Sequence, residues 1–404
     1  MSKRFQLAAI LMASTLVAAP TTAAEPPVTQ AVAAAVTIGE PVREAHLAWL
    51  FFEQLVQPTN GSLTFETWTE QCQLNPSMLG CQGRSAVAGK TRTLHASQLL
   101  ESLRRKRGVS LAIQKGIGCS TMQTKPLDGY PPPSNLTSVA QFCEEVFVND
   151  SERDFIEQNG LKTLLGQQAY GAGHDKAVTF PWDAIEVKAD WVPTSSFTNP
   201  FSCPDTTKKL YTETIDGTCY ALVGLHISSK TKPDWVWATF EPASSITNPN
   251  RCDPKLYSTC FDPWGTTSAV PYGKGQTVPQ SQPLQTLMAD NKLDPAFNNY
   301  YLTGVQMQFV DGNNRPIPLG NSFTEFNAGV YPGQASCITC HKYAYFDGKK
   351  PLPGQPEDNF GGSPKGWPPI GYACNKNQKG NCTPVVPHST SQDFSWTLGL
   401  MPFK

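Results

Sequence analysis

Five consecutive residues carry the sharpest chemical signal in the chain: Cys337-Ile338-Thr339-Cys340-His341. Two thiols three positions apart, followed at once by an imidazole, is the spacing that attaches a c-type haem. Each thiol can bond one vinyl group of the porphyrin, and the histidine can turn onto the iron as its proximal ligand. Other chemistries also use close cysteine pairs. A thioredoxin-type redox pair belongs at the start of a helix in a βαβ pattern, which is missing here. A zinc site needs a second Cys/His pair at close spacing, and none fits. A plain disulfide is the remaining alternative. The expectation is one covalent haem c, bound through Cys337 and Cys340 with His341 on the iron.

The position opposite His341 decides what such a group does. Met401, in Leu398-Gly399-Leu400-Met401-Pro402, is the candidate distal ligand. A thioether there stabilises ferrous iron and raises the potential, as an electron carrier uses; the bland alternative is a Met filling a gap in an apolar tail. His388 would give a bis-His site of lower potential. His226, His174 and His46 each read first as packing or surface residues. Met307 alternates with Val305 and Phe309 and reads as core. With no ligand at all, the iron would be open to small molecules.

Two functions follow. One is an electron-transfer protein that works with a redox partner protein. The other is a haem enzyme or small-ligand sensor with an open distal site, which would make the chain a haem-dependent oxidoreductase. Glu186, Lys188, Asp190 and Glu241 would then be candidates for proton transfer, although strand alternation puts them on a solvent-facing side. No Ser/His/Asp arrangement, phosphate loop or metalloprotease pattern is present.

The elements that must position this motif begin after a leader. Lys3 and Arg4 precede an apolar run from Phe5 to Ala19, then Thr21-Thr22-Ala23-Ala24. These are the three parts of a secretory signal peptide, with cleavage expected near Ala24. A periplasmic or secreted location follows, with no transmembrane segment in the mature chain. Of the 12 Cys, those outside the motif fall into close pairs: Cys72/Cys81, Cys119/Cys143, Cys203/Cys219, Cys252/Cys260 and Cys374/Cys382. Each brackets a loop, so local disulfides are expected. Formal charge moves from −1 to −3 once Lys3 and Arg4 are removed, which is no nucleic-acid balance.

Residues 25–175 read as mainly helical. Arg43 to Val56 places Ala45, Ala48, Trp49, Phe52 and Leu55 on one face. Phe65–Cys72, Ala96–Lys106, Ser138–Val148 and Ser151–Tyr170 read as further helices. Residues 176–322 read as antiparallel sheet with long loops. Ile185–Trp191 alternates apolar with charged, a half-exposed strand, and Cys219–Ser228, Trp235–Glu241 and Tyr300–Val310 follow. Residues 323–404 form the haem-attachment segment, with a helix over Ser336–Tyr345 and a Pro-rich loop, Asp347–Pro387, expected to wrap the porphyrin. The fold class is α+β: N-terminal helices packed on a small antiparallel sheet, with a loop-rich C-terminal segment.

Ile185–Trp191 (IEVKADW), Leu222–Lys230 (LVGLHISSK) and Trp235–Glu241 (WVWATFE) together resemble a group of exported bacterial proteins, the monohaem cytochrome c family. Ser336–His341 (SCITCH), Tyr343-Ala344 and Asp393-Phe394-Ser395 are similar to the same group, and Trp49–Pro58 and Phe65–Trp68 match it loosely. The resemblance spans most of residues 45–400, with the haem motif as its specific part. It implies haem binding and electron transfer, and no substrate. The chain departs from the group in its extra Cys pairs and its short end after Asp393, which leaves the distal ligand open.

Overall fold

Helix α1 (Glu40–Val56) forms where the periodicity predicts it. The structure, a computed structural model, describes residues 40–74, 119–121 and 390–399 and most of 131–346. Pro41 sits in the first turn, where its missing N–H is not needed, and Pro58 follows the last turn. Ala45, Ala48, Trp49, Phe52 and Leu55 are all buried.

They pack on an eight-stranded antiparallel sheet, larger than the sequence suggested. Its principal strands are β1 (Thr69–Glu70), β2 (Gln141–Val148), β3 (Ile185–Pro193), β4 (Thr212–Ile215), β5 (Thr218–Ser229), β6 (Val236–Pro242) and β7 (Tyr300–Gln306). The order across the sheet is β7-β6-β5-β3-β2-β1, with β4 paired to β5 and Ser120–Thr121 paired to β2. One face carries Ile185, Val187, Ala189 and Trp191 of β3, Leu225 and Ile227 of β5, and Ala238 and Phe240 of β6. This face meets α1. Phe52 lies 4.5 Å from Phe240 between ring centroids, and Trp49 lies 4.9 Å from the same ring.

The register sets the opposite face. Glu144 pairs with Asp190, Val146 with Lys188, Lys188 with His226, His226 with Thr239, and Trp237 with Gln306. Directly paired residues share a face, so acids, a lysine and a histidine line this side. The alternation of Ile185–Trp191 puts Glu186, Lys188 and Asp190 on a solvent-facing side of a half-exposed strand. Instead Glu144, Glu186, Asp190 and Glu241 are buried. Two short helices, α5 (Thr324–Asn327) and α6 (Cys337–Lys342), cover them together with residues 390–399, whose end forms α7 (Trp396–Gly399). A β-bulge between Asp190 and Trp191 faces Gly224. A Cβ there would fall 2.7 Å from Asp190 Oδ2 and 2.9 Å from Asn321 Nδ2, so only glycine fits under the covering segment.

Other expectations change as well. Ser138–Val148 is not a helix. Gln141–Val148 is strand β2, held between β1 and β3, because Glu144 and Val146 gain partners on β3 that no local pattern reveals. Ser151–Tyr170 is two helices, α2 (Asp150–Gln158) and α3 (Leu164–Gly173), divided at Gly160, whose φ is +65°. Asn149 caps α2 by accepting from Glu152 N. Phe65–Cys72 splits into a 3-10 turn (Thr64–Thr67), β1 and a helical turn (Gln71–Leu74). A further helix, α4 (Gln282–Asp290), adds Leu284 and Met288 to the α1 core.

Three expected disulfides are formed: Cys119–Cys143, Cys203–Cys219 and Cys252–Cys260, with Cα separations of 4.4, 5.5 and 5.1 Å. Closing loops of this size contributes roughly 2–3 kcal/mol each. Cys72 is also disulfide-bonded. Cys81, Cys374, Cys382, the leader 1–24, Ala96–Lys106 and the loop Asp347–Pro387 lie outside the described residues. Among the described residues no helix is long and apolar enough to cross a membrane.

Candidate functional site

Helix α6 starts at the first cysteine of the motif, and β7 fixes that start. Gln306, the last residue of β7, donates to Ser336 Oγ at 2.9 Å and accepts from Ile338 N at 3.0 Å. Ser336 O then accepts from Cys340 N at 2.9 Å, closing the first turn. Ile338 is fully buried among Trp237, Phe309, Leu319, Phe394 and Leu398. With Ile338 facing inward, Cys337, Cys340 and His341 share one helical face by their i, i+3, i+4 spacing. Both cysteines are free and partly exposed, so the plain disulfide is not formed. Burial pushes the Cys337 thiol well above its ordinary range and Cys340 up to about 12, with Glu325 adding to both. They rest as protonated thiols, the less readily oxidised form.

His341 is held by a backbone carbonyl. Its Nδ1 lies 2.9 Å from Phe394 O. A carbonyl can only accept, so Nδ1 carries the proton and Nε2 the lone pair. This is the tautomer a metal-ligating histidine needs, oriented from behind by a second partner. Burial moves the ring down to about 3, so it stays neutral at physiological pH. Trp237 packs against it at 4.4 Å between ring centroids.

The Phe394 carbonyl is itself braced. Asp393 and Phe394 both have left-handed backbones, with φ of 50° and 69°, which costs on the order of 1–3 kcal/mol per residue and persists only when the surroundings enforce it. Asp393 accepts from Lys230 Nζ at 2.6 Å and from Phe180 N at 2.8 Å. Lys230 also donates to Pro233 O at 2.8 Å. Gln392 N donates to Ala344 O at 2.9 Å, and Lys342 Nζ sits 4.3 Å from the Phe394 ring centroid. Burial lowers Lys342 to about 8. Burial also raises the Asp393 carboxyl, and Lys230 with the Trp235 indole offsets part of that rise.

Beside the motif lies the buried charged face of the sheet. His226 Nε2 is 3.0 Å from Asp190 Oδ2 and 2.8 Å from Thr324 Oγ1, and Thr324 donates to Asp190. Lys188 Nζ is 3.4 Å from Glu144 Oε1. Glu241 accepts from Ser322 N at 3.0 Å. Burial raises the Glu325 carboxyl, opposed by His226 and Lys188. Lys188 acts electrostatically on both thiols and, with His226, on His341. Lys188, Asp190, His226 and Glu325 thus form one neighbourhood with Cys337, Cys340 and His341.

Two further acids meet at the edge of this face. Ser395 Oγ lies 3.5 Å from Glu152 Oε1 and 3.3 Å from Glu186 Oε2, and Thr397 donates to Glu186 at 2.7 Å. Burial, then the charges of Glu186 and Asp393, push Glu152 well above the carboxylate range. The folded state therefore holds a proton that the unfolded chain releases above about pH 4.3. That contribution is present at low pH and is lost as pH rises through the folded value. Glu152→Gln should raise the thermal midpoint at pH 8 by about a few degrees, with the gain gone at pH 3.5. Unfolding followed by circular dichroism across this range tests it, and a midpoint lowered at pH 8 would refute it.

The remaining candidates are placed elsewhere or lie beyond description. Met401 and His388 are outside the described residues. Met307 packs against the α1 core, but the strand ends at Gln306 and Phe309 joins the cluster around Ile338, so Val305, Met307 and Phe309 do not share one strand face. His46 stacks on Trp264 at 4.2 Å and belongs to α1. His174 caps α3 and stacks on Tyr170 at 3.8 Å. Lys230, Gln306 and the Phe394 carbonyl had no motif to announce them. The hints were the Leu222–Lys230 and Asp393-Phe394-Ser395 segments in the resemblance. Among the described residues no group of three or more His, Cys, Asp or Glu side chains is arranged to hold a metal ion. No family model, no curated protein and no solved structure matches this chain.

Proposed function

We propose that the protein is an exported single-haem c-type cytochrome that transfers electrons to or from a redox partner protein, in the periplasm or outside the cell. Cys337 and Cys340 would hold haem c as thioethers, and His341 Nε2 would bind its iron. When bound, the group supplies a one-electron ferric/ferrous couple. The observation that carries this reading is the His341 Nδ1 contact to Phe394 O at 2.9 Å. It presents the second ring nitrogen as a ligand from a helix that also presents both thiols. The apolar cluster of Ile338, Trp237, Phe394 and Leu398 keeps water from the back of the ring. The three disulfides and the lack of a membrane-crossing helix among the described residues are consistent with an exported chain. Met401 remains the candidate for the distal position.

A second reading, a haem enzyme or small-ligand sensor, is favoured by one observation. His226, Asp190 and Thr324 form a buried hydrogen-bonded set beside the motif, able to hold and pass a proton. The visible spectrum decides between the readings. Purified protein from the periplasm should carry haem that survives acid-acetone extraction, and the reduced spectrum should be unchanged by carbon monoxide. A shift with carbon monoxide would support the open-site reading, and Met401→Ala should then change nothing. A protein isolated without covalent haem would defeat both.

A further inference from the structure

His341 is partly buried, and a row of aromatic side chains runs from its ring toward the far end of the covered face. Trp237 touches His341 at 4.4 Å between ring centroids. Trp235 follows at 6.1 Å, its ring inclined 30° to Trp237. Both indoles are buried. Lys230 Nζ lies 5.9 Å from the Trp235 ring and 5.8 Å from the Trp182 ring. Trp182 is 59 % exposed, one of the few large apolar side chains at the surface among the described residues. The four residues lead from His341 to solvent without a gap in aromatic or charged contact.

Two details show that the placement is enforced. Trp237 Nε1 donates to Asp234 O at 2.9 Å, which locks that ring's orientation. Trp235 has φ of 63°, a left-handed conformation that is an outlier for a bulky side chain and that structures retain mainly where the surroundings demand it. A turn that needed only to reverse the chain between β5 and β6 would place glycine or asparagine there. Here the turn puts an indole beside another indole, at the sheet end nearest His341.

Resting on the haem reading above, we propose that Trp237 and Trp235 are the electronic bridge between haem bound at His341 and the protein surface at Trp182. With haem bound, Trp237 and Trp235 would couple its one-electron ferric/ferrous couple to a one-electron acceptor at that surface, with no bond formed or broken. The indoles supply orbitals that couple donor to acceptor and are not themselves oxidised. Lys230, paired with Asp393, places a cation beside Trp235 and Trp182, which disfavours positive charge on either ring. The exposed Trp182 ring then marks where a partner approaches.

The test uses the full haem-bearing chain with a ruthenium polypyridyl photo-oxidant attached at Lys232→Cys, an exposed position in the Trp235 turn. Flash generation of ruthenium(III) should oxidise ferrous haem in the parent protein. Trp237→Leu should slow that step by about an order of magnitude when the rates are compared at equal driving force, each variant's reduction potential being measured alongside. Trp237→Phe should restore the rate to about a third of the parent or better. The same label at Leu165→Cys, exposed on α3, should show little dependence on Trp237. An unchanged rate in Trp237→Leu, or equal slowing from both labels, overturns the bridge while leaving the haem assignment intact. Absence of covalent haem in the parent protein overturns the haem reading itself and the bridge with it. If Trp237→Leu does not fold, Trp235→Leu carries the same expectation.

Discussion

Asp393→Ala should lower stability by about 3–5 kcal/mol and release His341 from its carbonyl partner. Asp393 and Lys230 are both buried and meet at 2.6 Å. Removing one charge strands the other, which costs more than the pair contributes. The loss does not stop at the ion pair. Asp393 also accepts from Phe180 N, and these bonds hold two left-handed residues whose backbone delivers the Phe394 carbonyl. Without them the turn can relax, and the Nδ1 contact goes with it. Asp393→Asn keeps the shape and the Phe180 bond, so it should fall between parent and alanine variant. Lys230→Met combined with Asp393→Leu should recover part of the stability, because no charge is left stranded, but not the turn. Urea unfolding gives the energies, and imidazole nitrogen chemical shifts report the His341 tautomer. A stability loss below about 1 kcal/mol for Asp393→Ala, with the tautomer intact, would show that the turn stands without its brace.

Lys188→Met should cost about 2–4 kcal/mol at neutral pH. A lysine on a half-exposed strand, as the alternation of Ile185–Trp191 suggests, would cost only about 0–1 kcal/mol when lost. The structure places Lys188 among Glu144, Asp190 and Glu325, under the segment that carries the motif. The Lys188 side chain keeps some exposure, so its loss costs less than breaking a fully buried pair. Despite its burial, the neighbouring carboxylates raise the lysine above its ordinary value. Its contribution is therefore complete below the unfolded lysine value of about 10.4 and is lost only in strong alkali. In the methionine variant the acids are left to take up protons, so the deficit should shrink as pH falls toward 4. Chemical denaturation at pH 7.5 and pH 4.5 compares the two. A deficit that is the same at both, or absent at both, would mean that the face is solvated.

The motif was legible because haem attachment is a local pattern: the thiols and the imidazole lie within one helical turn, and the structure presents them on one helical face. Helix α1 was legible for a similar reason, since Ala45, Ala48, Trp49, Phe52 and Leu55 repeat with the helical period. Strand β2 was not. Its Phe142, Val146 and Val148 can be fitted to a helix, and the Lys188 that pairs with the buried Glu144 lies on a neighbouring strand, where no local pattern reveals it. The same error turned the charged side of β3 outward. Alternation reveals that a strand has two unlike faces, but it cannot tell water from a second, polar layer of protein. The orienting partner of His341 was invisible for a different reason: it is a backbone carbonyl, and every residue has one. What singles out Phe394 is a left-handed backbone shared with Asp393, without a glycine to announce it.

The Phe394 contact also has a consequence for the order in which the protein is made. The carbonyl that orients His341 belongs to a residue 53 positions later in the chain. A chain synthesised from its N-terminus delivers the thiols and the imidazole before residues 390–399 exist. That segment then works as a closing latch: a chain truncated before Asp393 keeps the Cys337–His341 motif but loses the carbonyl that orients its histidine.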